Sequence, residues 1–151
     1  MQKNKFAILF TSLLYGLFAF FIVLFLQGIA FRTGLIESGV LSQKNIFGLF
    51  LPAFIEELLK IGLALFAFWQ LGKPQNLSLF LGIPVGFGLV EGYFSPEPDF
   101  FSKPFLHTIF FLGGYFLSKN LKIKKTYQII LWILTSSLVH FFYNFYQLKI
   151  Q

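Results

Sequence analysis

Cysteine is absent from the 151 residues, and carboxylates are scarce, with six in all. The first absence excludes disulfides, thiolate metal sites and a cysteine nucleophile. Charged residues make up 12% of the chain, about half the usual share for a soluble domain. No soluble domain, low-complexity tract or convincing repeat interrupts the sequence. What fills it instead is apolar: 56% hydrophobic residues, 24 phenylalanines and a mean hydropathy of +0.74. This composition predicts an integral membrane protein, and the length suits one small helical bundle. The net charge of +6 does not point to nucleic acid. The basic residues stand in the short gaps between apolar runs, where membrane proteins place them. The bilayer is the expected partner, and no nucleic acid is.

Five apolar stretches emerge, at roughly 6–31, 46–71, 77–95, 105–118 and 127–147. The expected fold is therefore all-α: a single integral-membrane domain over 1–151, a polytopic transmembrane helical bundle of about five spans. A span needs about 20 residues, and four of the stretches supply them. The fourth, "FLHTIFFLGGYFLS", has ~14 residues, or ~21 Å at 1.5 Å per residue. Lys3 and Lys5 before the first stretch resemble the start of a signal peptide. That run is far longer than the ~7–15 residues of a signal-peptide core, so it reads as a retained span. Connections carry turn chemistry: "RTGLIESGVLSQKN", "GKPQN", "SPEPDFFSKP" and the basic "KNLKIKK". Asn76 or Ser78 is placed to cap the third helix.

Lysine and arginine set the expected orientation. With a cytoplasmic N-terminus, Lys3, Lys5, Lys73, Lys119, Lys122, Lys124 and Lys125 are inside. Arg32, Lys44, Lys103 and Lys149 are then outside, and Lys60 is in the membrane. This bias favours five spans with the N-terminus in and the C-terminus out.

Of the six acids, Glu37, Glu97 and Asp99 fall in connections, while Glu56, Glu57 and Glu91 fall within apolar stretches. Lys60, His107 and His140 do so too. A charge at the centre of a span costs about 2.5–3.5 kcal/mol on insertion scales, so these residues need a use or a partner. Taking the helices as antiparallel neighbours, Glu57 lies ~16 Å, Glu91 ~6 Å, His107 ~4 Å and His140 ~10 Å from the outer end of its helix. All four fall in one half of the bilayer.

Lys60 stands four residues after Glu56 and three after Glu57, so it can pair with either. The two glutamates diverge by ~100° on a helix, which implies two roles. His140 and Asn144 share a face. Gly82, Gly86, Gly88 and Gly92 give small-xxx-small spacing twice, which lets another helix approach closely. Taken alone, "EELLK" also suits a buried ion pair that only fixes bundle register. Each histidine alone suits a hydrogen-bonded packing residue.

The ordered set Glu56-Glu57-x-x-Lys60, Phe87-x-x-x-Glu91, an isolated His107 and His140-x-x-x-Asn144 resembles the PrsW family of intramembrane proteases. These are distant relatives of the CAAX-processing membrane proteases. The resemblance covers roughly 53–144. It departs from the family pattern at Gly92, where asparagine is common, and Lys103 only loosely matches a basic residue before the third-motif histidine. The resemblance implies a bacterial inner-membrane endopeptidase whose substrate is a membrane-anchored protein or peptide. Members are described as metalloproteases or as glutamic-type proteases.

Two mechanisms suit these residues. In one, His107, His140 and Glu91 hold Zn²⁺, and Glu57 or Glu56 is the general base for its bound water. In the other, a glutamate of the pair activates water directly, and His140 and Asn144 stabilise the oxyanion. Between the glutamates, the expectation is Glu57 as base and Glu56 paired with Lys60. Two other classes use the same residues: a small ion- or proton-coupled transporter, and a non-catalytic membrane adaptor.

Overall fold

The computed structural model describes residues 5–34, 46–71, 77–94 and 99–150. Lys3, Glu37, Lys44, Lys73, Asn76 and Glu97 lie outside the described residues, as do the side chains of Lys5, Ser78 and Lys149. All regular structure among the described residues is helical: α1 Lys5–Arg32, α2 Ile46–Leu71, α3 Leu77–Phe94, α4 Ser102–Lys119 and α5 Lys125–Ile150. The five helices coincide with the five apolar stretches.

The fourth helix is longer than its apolar core. It starts at Ser102 after the N-cap residue Phe101, and the Asp99 carboxylate holds this first turn. One Asp99 carboxylate oxygen accepts the backbone N–H groups of Phe101 (3.1 Å) and Ser102 (2.8 Å). The Ser102 hydroxyl donates to the other oxygen. These contacts satisfy donors that a helix start leaves orphaned. Pro104 is tolerated because it sits in the first turn.

Around the bundle, α1 packs on α3, α3 on α4, α4 on α5, α5 on α2, and α2 back on α1. Contacts between named residues give the directions. Tyr15 meets Gln70 and Gln27 meets Glu56, so α1 and α2 run antiparallel. Phe111 meets Trp132 and Phe110 meets Tyr143, so α4 and α5 do as well. Ser12 faces Gly82 and Gly16 faces Phe87, so α1 and α3 run parallel.

The glycines of α3 divide their work. At Gly82 and Gly86 an added Cβ would run into Ser12 and the Leu13 backbone of α1. At Gly88 and Gly92 it would meet the Pro104 backbone and the Asp99 carbonyl, where α4 begins. Each small-xxx-small pair thus admits a different neighbour.

Among the described residues, two helical segments, Phe6–Arg32 and Lys125–Gln147, are long and apolar enough to cross a membrane. The bundle is apolar outside as well as in its core, and several polar side chains are buried within that core. Phe6, Phe10, Phe18 and Phe25 of α1 are more than half exposed. Ser12, Glu57, Lys60, Ser136 and Ser137 are fully buried. In water, so large an apolar exterior marks an interaction surface.

Candidate active site

Four helices deliver ionisable groups to one end of the bundle. α2 supplies Glu56, Glu57 and Lys60; α3 supplies Glu91; α4 supplies Lys103 and His107; α5 supplies His140. Lys60 is at the centre. Its Nζ donates to Glu57 Oε1 at 2.6 Å and lies 2.8 Å from His107 Nδ1. The same ammonium stands 4.7 Å from the centroid of the Phe87 ring. An ammonium carries three donors, and these three neighbours match them, the ring face through a cation–π contact.

Lys60 therefore pairs with Glu57, and the expected pairing with Glu56 is corrected. Both spacings allow a contact along the helix. Glu57 and Lys60 share the face turned toward His107 and His140, whereas Glu56 is rotated toward α1. Glu57 Oε1 also receives His140 Nδ1 at 3.1 Å. Glu57 is thus fixed by a lysine and an imidazole and is fully buried. Glu56 has lighter restraint. Gln27 Nε2 donates to its Oε1 at 3.4 Å, and His140 Nδ1 lies 3.7 Å from its Oε2. Glu56 Oε2 and Glu57 Oε2 are both buried with no hydrogen-bond partner.

Glu91 joins the cluster from the far side of His107. One of its oxygens binds His107 Nε2, and the other accepts from Lys103 Nζ at 2.8 Å. Lys103 thus has a defined place near His107, four residues before it on the same helix. Asn144 lies half-buried one turn beyond His140, and its side chain makes no hydrogen bond among the described residues. Sequence reasoning missed Gln27. The signal was there: it is the one amide side chain within the first apolar run, near the end that carries the acids. Asp99, read as a connection residue, anchors the start of the helix that carries His107.

Of the expected ligands, His107 and His140 stand together, and Glu91 meets His107 Nε2 and Lys103. Among the described residues, the group able to converge on one ion is Glu56, His107 and His140, with ligand atoms all within 4.8 Å of one another. Two imidazoles and a carboxylate are a common zinc donor set. However, both ring nitrogens of His107 are engaged, Nδ1 by Lys60 and Nε2 by Glu91. A cation bound to Nδ1 would have to displace the Lys60 ammonium. As arranged, the residues do not offer three free donors, and no step below is routed through a metal.

A cleft of about 300 Å³ opens beside the cluster between α1, α2 and α3. Phe20, Val23, Leu24, Phe87 and Phe94 make its apolar walls, and Gln27, Glu56 and Glu91 are its polar members. Glu57, Lys60 and both histidines lie behind it. No family model, curated protein or solved structure matches the chain.

Proposed function

We propose that the chain is a five-span intramembrane endopeptidase of the inner membrane of a bacterium, acting on a membrane-anchored protein or peptide. One observation carries this reading. Glu56 is a lining residue of an apolar cleft, and its inner carboxylate oxygen, on the His140 side, is buried with no hydrogen-bond partner, while the adjacent Glu57 is neutralised by Lys60. An unpaired buried acceptor is costly unless it serves a ligand or a reaction. A water held there would lose a proton to Glu56 as its oxygen attacks the peptide carbonyl.

In this reading Glu56 is the general base, in place of Glu57. Lys60, Glu57 and His140 form a rigid wall that positions it. Gln27 orients the carboxylate from the opposite side. Asn144, beside His140 on α5, does not line the cleft and takes no part in this step; the apolar cleft walls exclude bulk water. The order of the motifs, which resembles that of the PrsW family, supports the same reaction class. The test is cleavage of a library of fluorophore-labelled single-span peptides by the protein in proteoliposomes. Glu56→Gln is expected to lower the rate by about 10²–10⁴-fold, the usual contribution of a general base. Undiminished cleavage by this variant would sink the assignment.

A second reading has a specific observation in its favour. Lys103, Glu91, His107, Lys60, Glu57 and His140 form a continuous series of polar contacts, as a proton path would need. All of its members lie at one end of the bundle, so the series does not run from face to face. Proton flux into proteoliposomes without peptide cleavage would favour a carrier over the peptidase.

A further inference from the structure

A cavity of about 550 Å³ lies at the opposite end of the bundle, between α2, α4 and α5. Its walls include Phe68, Trp69, Tyr115 and Trp132, and its rim carries Lys119 and Lys125. Lys122 and Lys124 occupy the turn between those two lysines. Both tryptophans of the chain line this one space.

The cavity has a firm frame. Trp132 Nε1 donates to the Phe111 carbonyl at 2.8 Å, which ties α5 to α4. Gln128 Nε2 donates to the Leu121 carbonyl at 2.9 Å, which holds the basic turn against α5. Tyr15 Oη donates to Gln70 Oε1 at 3.2 Å, which holds the end of α2 against α1.

Its charge is one-sided. The described carboxylates are Glu56, Glu57, Glu91 and Asp99. None of them forms an ion pair with Lys119, Lys122, Lys124 or Lys125. Lys119 Nζ stands 5.5 Å from the Tyr115 ring centroid, above the aromatic wall.

We propose that this cavity holds an anionic glycerophospholipid, with its phosphate between Lys119 and Lys125 and an acyl chain along Phe68, Trp69 and Trp132. A soluble anion would gain nothing from the aromatic walls. A zwitterionic lipid would gain less from the lysines, because its own cation offsets the phosphate charge. Basic pockets between spanning helices suit anionic headgroups on the cytoplasmic side, and tryptophan belongs at the depth of the headgroups. The proposal rests on the membrane reading of the chain and is independent of the peptidase reading.

The paired tryptophans supply the assay. The protein is reconstituted into phosphatidylcholine vesicles doped with acyl-brominated phosphatidylglycerol or, in parallel, acyl-brominated phosphatidylcholine. Two lysines near the surface give an anionic preference on the order of tenfold, so brominated phosphatidylglycerol is expected to quench at lower mole fraction. In a Lys119→Gln/Lys125→Gln variant the two quenchers become equivalent. Arg32→Gln, which removes a charge at the other end, keeps the preference and serves as the control for net charge. Equal quenching of the unaltered protein by both lipids overturns the proposal. So does a preference that survives in the double variant, or one lost equally in Arg32→Gln. A chain that fails to enter vesicles sinks the membrane reading and this site together, while peptide cleavage can fail with the lipid site intact.

Discussion

Lys60 Nζ lies 2.8 Å from His107 Nδ1, and both side chains are buried. An ammonium has no acceptor, so Nδ1 is the unprotonated nitrogen and Nε2 carries the hydrogen given to Glu91. One lysine therefore sets the tautomer of the imidazole and occupies its free lone pair. We expect peptide cleavage to be unchanged after dialysis against a strong chelator. Loss of the proposed activity that Zn²⁺ restores would mean that Lys60 leaves Nδ1 in the active state.

The same lysine neutralises Glu57. Removing one partner of a buried pair leaves an uncompensated charge, at about 3–5 kcal/mol. Lys60→Met is accordingly expected to lower thermal stability sharply. Glu57→Gln in the same chain should recover part of the loss, because no bare carboxylate remains. A double-mutant cycle on the melting of the purified protein measures this coupling. Strictly additive effects would show that the pair is not formed.

Much of this was legible in the sequence, for identifiable reasons. The helices follow the apolar runs because the clusters of polar and turn residues fall between them, while the polar residues inside the runs are scattered singly or in short groups. The convergence of Glu57, Glu91, His107 and His140 followed from counting rises along alternating helices. Which glutamate meets Lys60 did not follow, since spacings of three and four both bring side chains together. That choice depends on which face of α2 looks at His107 and His140, a tertiary fact. Glu91 was placed among the ligands by depth alone. Depth says nothing of Lys103, which takes one of its oxygens.

Gln27 touches Glu56 alone among the charged groups, and it sits half-buried in the cleft. Its role in the proposed reaction is to aim the carboxylate. Gln27→Leu keeps the volume and removes the donor. A hydrogen bond to a charged group is worth about 1.5–3 kcal/mol; this one is long, so a drop of about tenfold in kcat is expected with little change in KM. A rise in KM at unchanged kcat would instead make Gln27 a substrate-binding residue. Melting should be unaffected in either case.

The glycines give a contrast that tests the packing of the bundle independently of its chemistry. A Cβ at Gly16 would strike the Ile83 carbonyl oxygen and the Phe87 amide nitrogen, which are backbone atoms and cannot rotate away. Gly62 and Gly113 have no such neighbour within 4 Å. Gly16→Leu must therefore push α1 off α3, and overpacking of this kind costs about 1–3 kcal/mol or more. Gly62→Ala and Gly113→Ala should gain up to about 1 kcal/mol each from helix propensity. Melting of the purified variants in one detergent reads all three. Because α3 also carries Glu91 to His107, Gly16→Leu should reduce peptide cleavage along with stability, whereas the two alanine variants should keep it. A Gly16→Leu protein as stable as the parent would mean that the close approach of α1 to α3 is not what holds the bundle.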